Sequence, residues 1–127
     1  MANEIIKKIN EIMRQYLWMD FELTNGGTNK VVLHGYLDEA EEDKIRIIFS
    51  DVEAILCKTC FTFDGEQDLL KELDGEEARK INLNYSILQG MKIFKIVNTD
   101  ISGDMYIIAR NVSYEVGDMV ESRKMQF

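Results

Sequence analysis

Proline is missing from all 127 residues of this chain. No turn therefore rests on proline's fixed φ, and no prolyl isomerisation can slow folding. Cysteine is nearly missing, with Cys57 and Cys60 the only two. A disulfide-stapled secreted domain carries more, so the chain reads as a reduced, cytoplasmic protein. In that compartment the glycosylation-like triplets Asn84-Tyr85-Ser86 and Asn111-Val112-Ser113 need no functional reading. Histidine occurs once, as His34. No apolar run approaches the ~20 residues of a membrane helix. The opening MANEIIKKIN has no long apolar core and no small-residue cleavage site, so it does not read as a signal peptide.

Positive charge is the minority. There are 15 Lys and Arg against 23 Asp and Glu, a net charge of −8. That balance opposes nucleic acid, which needs clustered cations against phosphates, and equally an anionic membrane surface. It suits a basic protein as partner, through electrostatic steering of the encounter. The plainer reading is that acidic surface keeps the protein soluble. Catalytic and cofactor signatures are also lacking. No G-x-S-x-G surrounds a serine, no H-E-x-x-H exists, no acidic stretch has EF-hand spacing, and Gly26-Gly27 opens no phosphate-binding helix. We expect no cofactor, no metal and no enzymatic activity.

What is present suits one domain over residues 1–127, with an ordinary globular balance of 46% hydrophobic and 30% charged residues. The organising stretch is Lys44–Lys58, KIRIIFSDVEAILCK. Ile45, Ile47 and Phe49 alternate in one phase, and Val52, Ala54 and Leu56 in the other. A strand repeats every two residues, so the phase change predicts a bulge or sharp bend near Ser50–Asp51. Met105, Ile107 and Ala109, then Val112, Tyr114 and Val116, repeat the pattern and predict a matching bend near Arg110–Asn111. The two strands should pair or neighbour each other.

The rest follows in order. Residues 3–17 read as an amphipathic helix, with Ile5, Ile9, Ile12 and Tyr16 on one stripe and Ile6, Met13 and Leu17 beside it. Trp18–Thr24 and Lys30–Leu37 form a hairpin around Asn25-Gly26. Gly35 marks a bulge or a close approach. Thr59–Phe63 is a strand with Phe61 and Phe63 in phase. Residues 66–73 read as a short helix through Leu69, Leu70 and Leu73, with another turn over 76–80, and 81–88 is ambiguous. Gln89–Val97 is a strand, 98–104 a hairpin loop, and 117–127 an edge strand or frayed tail. The fold class is α+β: a strongly curved antiparallel sheet of five to seven strands, an N-terminal helix on one face and a short helical insertion.

Three groups of residues could carry function. Asp38, Glu39, Glu41, Glu42 and Asp43 form the densest acidic cluster, either a solvated turn or a docking loop for a basic protein. His34, Asp51 and Tyr36 could line a concave sheet face that holds a small ligand or a reaction. The aromatics Tyr16, Trp18, Tyr36 and Tyr114 could form a binding surface, although each sits within a core-like pattern. Cys57-Lys58-Thr59-Cys60 is a C-x-x-C pair, but it follows a strand and lacks the helix N-terminus that activates a redox thiol. His34 is the only further nitrogen or sulfur ligand for zinc.

Residues Ile45–Ile55, IRIIFSDVEAI, resemble a strand of small bacterial immunity-type proteins of polymorphic toxin systems and of neighbouring uncharacterised families. The element order is similar too: helix, hairpin, long bent strand, helical insertion, closing hairpin. The resemblance implies an acidic cytoplasmic protein that binds and blocks a toxin domain without catalysis. The expectation is therefore a non-enzymatic protein-binding module. The alternatives are a small-ligand or enzymatic domain and a structural subunit that dimerises through a sheet edge or the tail. In the first case the cysteines only pack, so replacing both with serine should leave binding unchanged; lost binding with an intact thermal melt would contradict this.

Overall fold

A computed structural model describes residues 2–38, 41–97 and 104–117. Its elements are α1 (Ala2–Met13), β1 (Met19–Gly27), β2 (Lys30–Tyr36), β3 (Ile45–Leu56), β4 (Cys60–Phe63), β5 (Leu70–Glu72), α2 (Gly75–Tyr85), β6 (Lys92–Ile96) and β7 (Met105–Val116). The seven strands form one antiparallel half-barrel in the order β4-β1-β2-β3-β7-β6-β5. The fold is the α+β class read from the sequence. Glu39, most of the predicted hairpin loop (98–103) and the tail from residue 118 lie outside the described residues.

The sheet curves where the sequence changes phase. Phe49 pairs with Val112, and Ser50 with Asn111. Ile45, Ile47, Phe49 and Val52 face the main core, as do Met105, Ile107, Ala109, Val112 and Tyr114. Both strands therefore turn two consecutive residues outward at the same level, Ser50–Asp51 against Arg110–Asn111. Asp51 takes the left-handed conformation, φ +54, that this turn requires. A second shift was not expected. The register slips between Val52 and Ala54, so Val52 stays on the main core while Ala54 joins the opposite face. The even-phase trio is thus split between faces, and Leu56 is largely exposed.

Each face has its own helix. Inside the half-barrel, Ile6, Ile9 and Met13 of α1 meet Phe21, Leu33, Phe49, Phe63, Phe94 and Ile107 in one buried cluster. Phe21 stacks on Phe61 across the β1–β4 pair, ring centroids 5.4 Å apart. Outside, Ile81 of α2 covers Ile93 and Ile108 beside Leu73. Adjacent residues such as Ile107 and Ile108 serve opposite clusters, as the strand period demands.

Several predicted boundaries need correction. The first helix stops at Met13 instead of continuing to residue 17, and Leu17 is 90% exposed. Residues 70–72 form a strand, not part of a helix. Leu69 and Leu70 are both buried, a pattern that helix and strand satisfy equally. The choice is made by Asn10. Its amide donates to the Leu70 carbonyl at 2.8 Å and accepts the Leu70 N–H at 3.1 Å. A buried side chain thus replaces the missing neighbour strand on the free edge of β5. The ambiguous 81–88 segment is helical to Tyr85 and ends at Ser86 in the left-handed region, φ +50.

Gly35 is a close approach. A Cβ there would meet Met19 Sδ at 2.6 Å and Phe21 Cε1 and Ile45 Cγ2 at 2.8 Å each. All three residues are fully buried. Gly35→Ala should therefore lower unfolding free energy by about 1–3 kcal/mol through overpacking, read as a lower urea midpoint with unchanged slope.

Candidate functional site

Alternation on the hairpin decides what the outer face carries. Met19 and Phe21 turn inward on β1, so Asp20, Glu22 and Thr24 turn outward. Leu33 points inward on β2, so His34 and Tyr36 turn outward. Ile45 and Ile47 leave Arg46 outward on β3. The register then aligns Glu22 with His34, His34 with Arg46, and Arg46 with Glu115. A row of two basic side chains between two carboxylates crosses four strands.

Asp43, on the approach to β3, closes over this row. Its Oδ2 accepts from His34 Nδ1 at 2.8 Å and from Arg46 Nε at 3.0 Å. The other imidazole nitrogen, Nε2, lies 2.7 Å from the Thr24 hydroxyl. With Asp43 ionised, Nδ1 carries the hydrogen, and in the neutral ring Nε2 accepts from Thr24. Burial raises the Asp43 carboxyl, but hydrogen bonds and charge from His34 and Arg46 outweigh it and hold the group below its ordinary value. Glu22, Thr24, His34, Tyr36, Glu41 and Asp43 together line an open cavity of about 540 Å³. Three of the six are carboxylates, and the nearest guanidinium, Arg46, is engaged with Asp43. The cavity is therefore an electronegative depression fitted to a positive group.

The acidic loop is only partly gathered here. Glu41 and Asp43 line the cavity. Glu41 also lies 3.7 Å from Lys44 Nζ. Asp38 is exposed, and its carbonyl accepts the Glu41 N–H at 2.9 Å to close the turn. Glu42 is partly buried beside Asp43. The expected concave-face trio is divided. His34 and Tyr36 share the cavity, but on the outer face, because α1 and the apolar cluster fill the inner one. Asp51 stands five residues beyond Arg46, roughly 16 Å along β3, exposed and 3.9 Å from Arg110. It takes no part in the site.

The aromatic surface is also divided. Tyr16 and Tyr114 pack against the main core, Trp18 is 45% exposed, and Tyr36 belongs to the cavity. Cys57 packs on the main core, and burial pushes its thiol up to about 11. It donates to the Lys58 carbonyl at 3.1 Å and is protonated at neutral pH. Cys60 is exposed at the start of β4. Among the described residues no group of three His, Cys, Asp or Glu side chains is arranged to hold a metal ion, and no helix is long and apolar enough to cross a membrane. Sequence reasoning missed Glu22, Thr24 and Arg46. The expected turn at Asn25-Gly26 needs correction: β1 runs on through Gly27, with a bulge between Asn25 and Gly27, and the chain turns at Thr28–Asn29. Only this register sets Glu22 opposite His34 with Thr24 beside it.

No protein-family model matches the chain, and no curated protein or solved structure matches it at a significant level.

The Asp43 linkage has a definite sign. A carboxyl held below its unfolded value, 3.8, adds stability above that pH and loses it as pH falls through the folded value. Asp43→Asn should lower stability at neutral pH by about 1–3 kcal/mol. It should also flatten the loss of stability below pH 3.8. Urea melts across the acid range check both; a variant as steep as the parent would contradict the assignment.

Proposed function

We propose that this chain is a non-enzymatic, cytoplasmic binding module whose acidic outer face receives a positively charged side chain presented by a basic protein. The observation that carries the reading is the convergence of Glu22, Glu41 and Asp43 on one open cavity. A depression of about 540 Å³ admits an arginine or lysine side chain. Two of the three carboxylates come from different parts of the chain, Glu22 from β1 and Glu41 from the turn before β3. The net charge of −8 acts at longer range, raising the rate at which a basic partner arrives. The resemblance of Ile45–Ile55 and of the element order to immunity-type proteins makes a toxin domain the partner class of choice. Such a partner is blocked by occupation of its surface, with no reaction required.

Co-purification from the source cell at low and at high salt tests this. A basic partner should be retained at low salt and released as salt rises. Glu22→Gln with Glu41→Gln should weaken retention about tenfold or more without changing the thermal melt. Retention of no partner at low salt, or equal retention by the double variant, would sink the proposal.

A further inference from the structure

Thr24, His34 and Asp43 form a continuous hydrogen-bonded chain, hydroxyl to imidazole at 2.7 Å and imidazole to carboxylate at 2.8 Å. All three line the same open cavity. We propose that Thr24 is a His34-activated nucleophile and that the cavity is a self-acylation site for activated esters or thioesters, preferring those that carry a positive charge. This goes beyond the binding reading and does not depend on a protein partner.

The chemistry follows from the order of the three groups. A hydroxyl is a weak nucleophile until a base takes its proton in the transition state. His34 Nε2 stands at hydrogen-bond distance from that proton. Asp43 is the positioning residue: it holds Nδ1–H, and hence the tautomer that leaves Nε2 as acceptor. In the step, Thr24 Oγ1 bonds to the acyl carbon and its proton passes to Nε2. The bond from acyl carbon to the alcohol or thiol breaks, and the leaving group takes the proton from Nε2. The imidazole ends neutral, and Thr24 ends as an ester. No oxidant or cofactor enters.

The surroundings set both rate and outcome. Thr24 lies within the β1–β2 ladder, opposite Val32, where backbone amides are engaged in strand pairing. Among the described residues no helix N-terminus borders the cavity, since its lining comes from β1, β2 and the turn before β3. Glu22 and Glu41 oppose the charge of a tetrahedral oxyanion. Acylation is therefore slow, and hydrolysis of the acyl group, which passes through a similar oxyanion, is slow as well. The product is a modified chain and not a rapid turnover. A cation on the acyl donor offsets the same carboxylates and raises the rate.

The intact chain treated with para-nitrophenyl acetate, and in parallel with the guanidinobenzoate ester of para-nitrophenol, tests the assignment. Nitrophenol release should level off near about one equivalent per chain. The added mass should map to Thr24 by fragment mass spectrometry, and the guanidino ester should react faster. Thr24→Ser should retain the label, Thr24→Val should lose it, and His34→Gln should slow it about 100-fold, each with a thermal melt to confirm folding. Label on a lysine only, no label, or equal labelling of a folded Thr24→Val variant would overturn the proposal. The Thr24→Ser variant keeps it open to refutation should Thr24→Val fail to fold. Loss of protein binding with Thr24 labelling intact would remove the binding proposal alone.

Discussion

Two twelve-residue strands, β3 and β7, pair along nearly their whole length while both change which side chains face inward. A phase change in one strand alone would leave the other's apolar residues facing water. Placing the two changes opposite each other keeps Phe49 with Val112 and Val52 with Ala109 on the core side. The backbone must then turn sharply, and Asp51 accepts positive φ to allow it. The curvature creates an inside large enough for α1 and a mostly apolar filling. The later slip near Glu53 sends Ala54 outward to lie beneath α2. The seating of both helices therefore depends on how this one strand pair bends.

The outer face of the hairpin obeys a different constraint. Cross-strand neighbours there run Glu22, His34, Arg46 and Glu115, which sets each carboxylate opposite a basic side chain. Asp43 upsets the balance by adding a carboxylate between His34 and Arg46. Its charge is offset by Arg46 and that of Glu41 partly by the more distant Lys44, while Glu22 keeps the cavity mouth negative. The same arrangement that fits a cationic visitor also orders the imidazole. The two proposed uses, receiving a cation and activating Thr24, share one electrostatic layout.

Much of this architecture was legible in the residues. The period of two marked β3, β7 and their shared bend. Asn25-Gly26 marked a hairpin but misplaced its turn, which falls at Thr28–Asn29, and Gly35 marked a close approach. The failures have physical causes. Leu69, Leu70 and Leu73 suit a helix locally, but the buried amide of Asn10, sixty residues away, holds Leu70 in extended form. The slip at Glu53 leaves no trace in hydropathy, because Ala54 is apolar whichever face it joins. For the site, His34 and Tyr36 were singled out in one group and Glu41 and Asp43 in another, but the two groups were not joined. Their meeting requires both the β2–β3 register and the path of the loop. Asp51 drew attention for its place at the bend, and conformation explains that place fully.

Asn10 also changes what the sheet can become. An open edge presents unpaired donors and acceptors that can recruit another chain. At β5 the outward pair at Leu70 is already bound, both groups, to a side chain of the same molecule. β5 is also only three residues long. Asn10 thus works as a plug in the β-ladder at Leu70, which leaves an incoming strand a shortened template at this end. The two ends of the sheet thus differ, β5 carrying the Asn10 plug and β4 ending the other side. An incoming strand would have to displace the Asn10 amide before it could pair at Leu70.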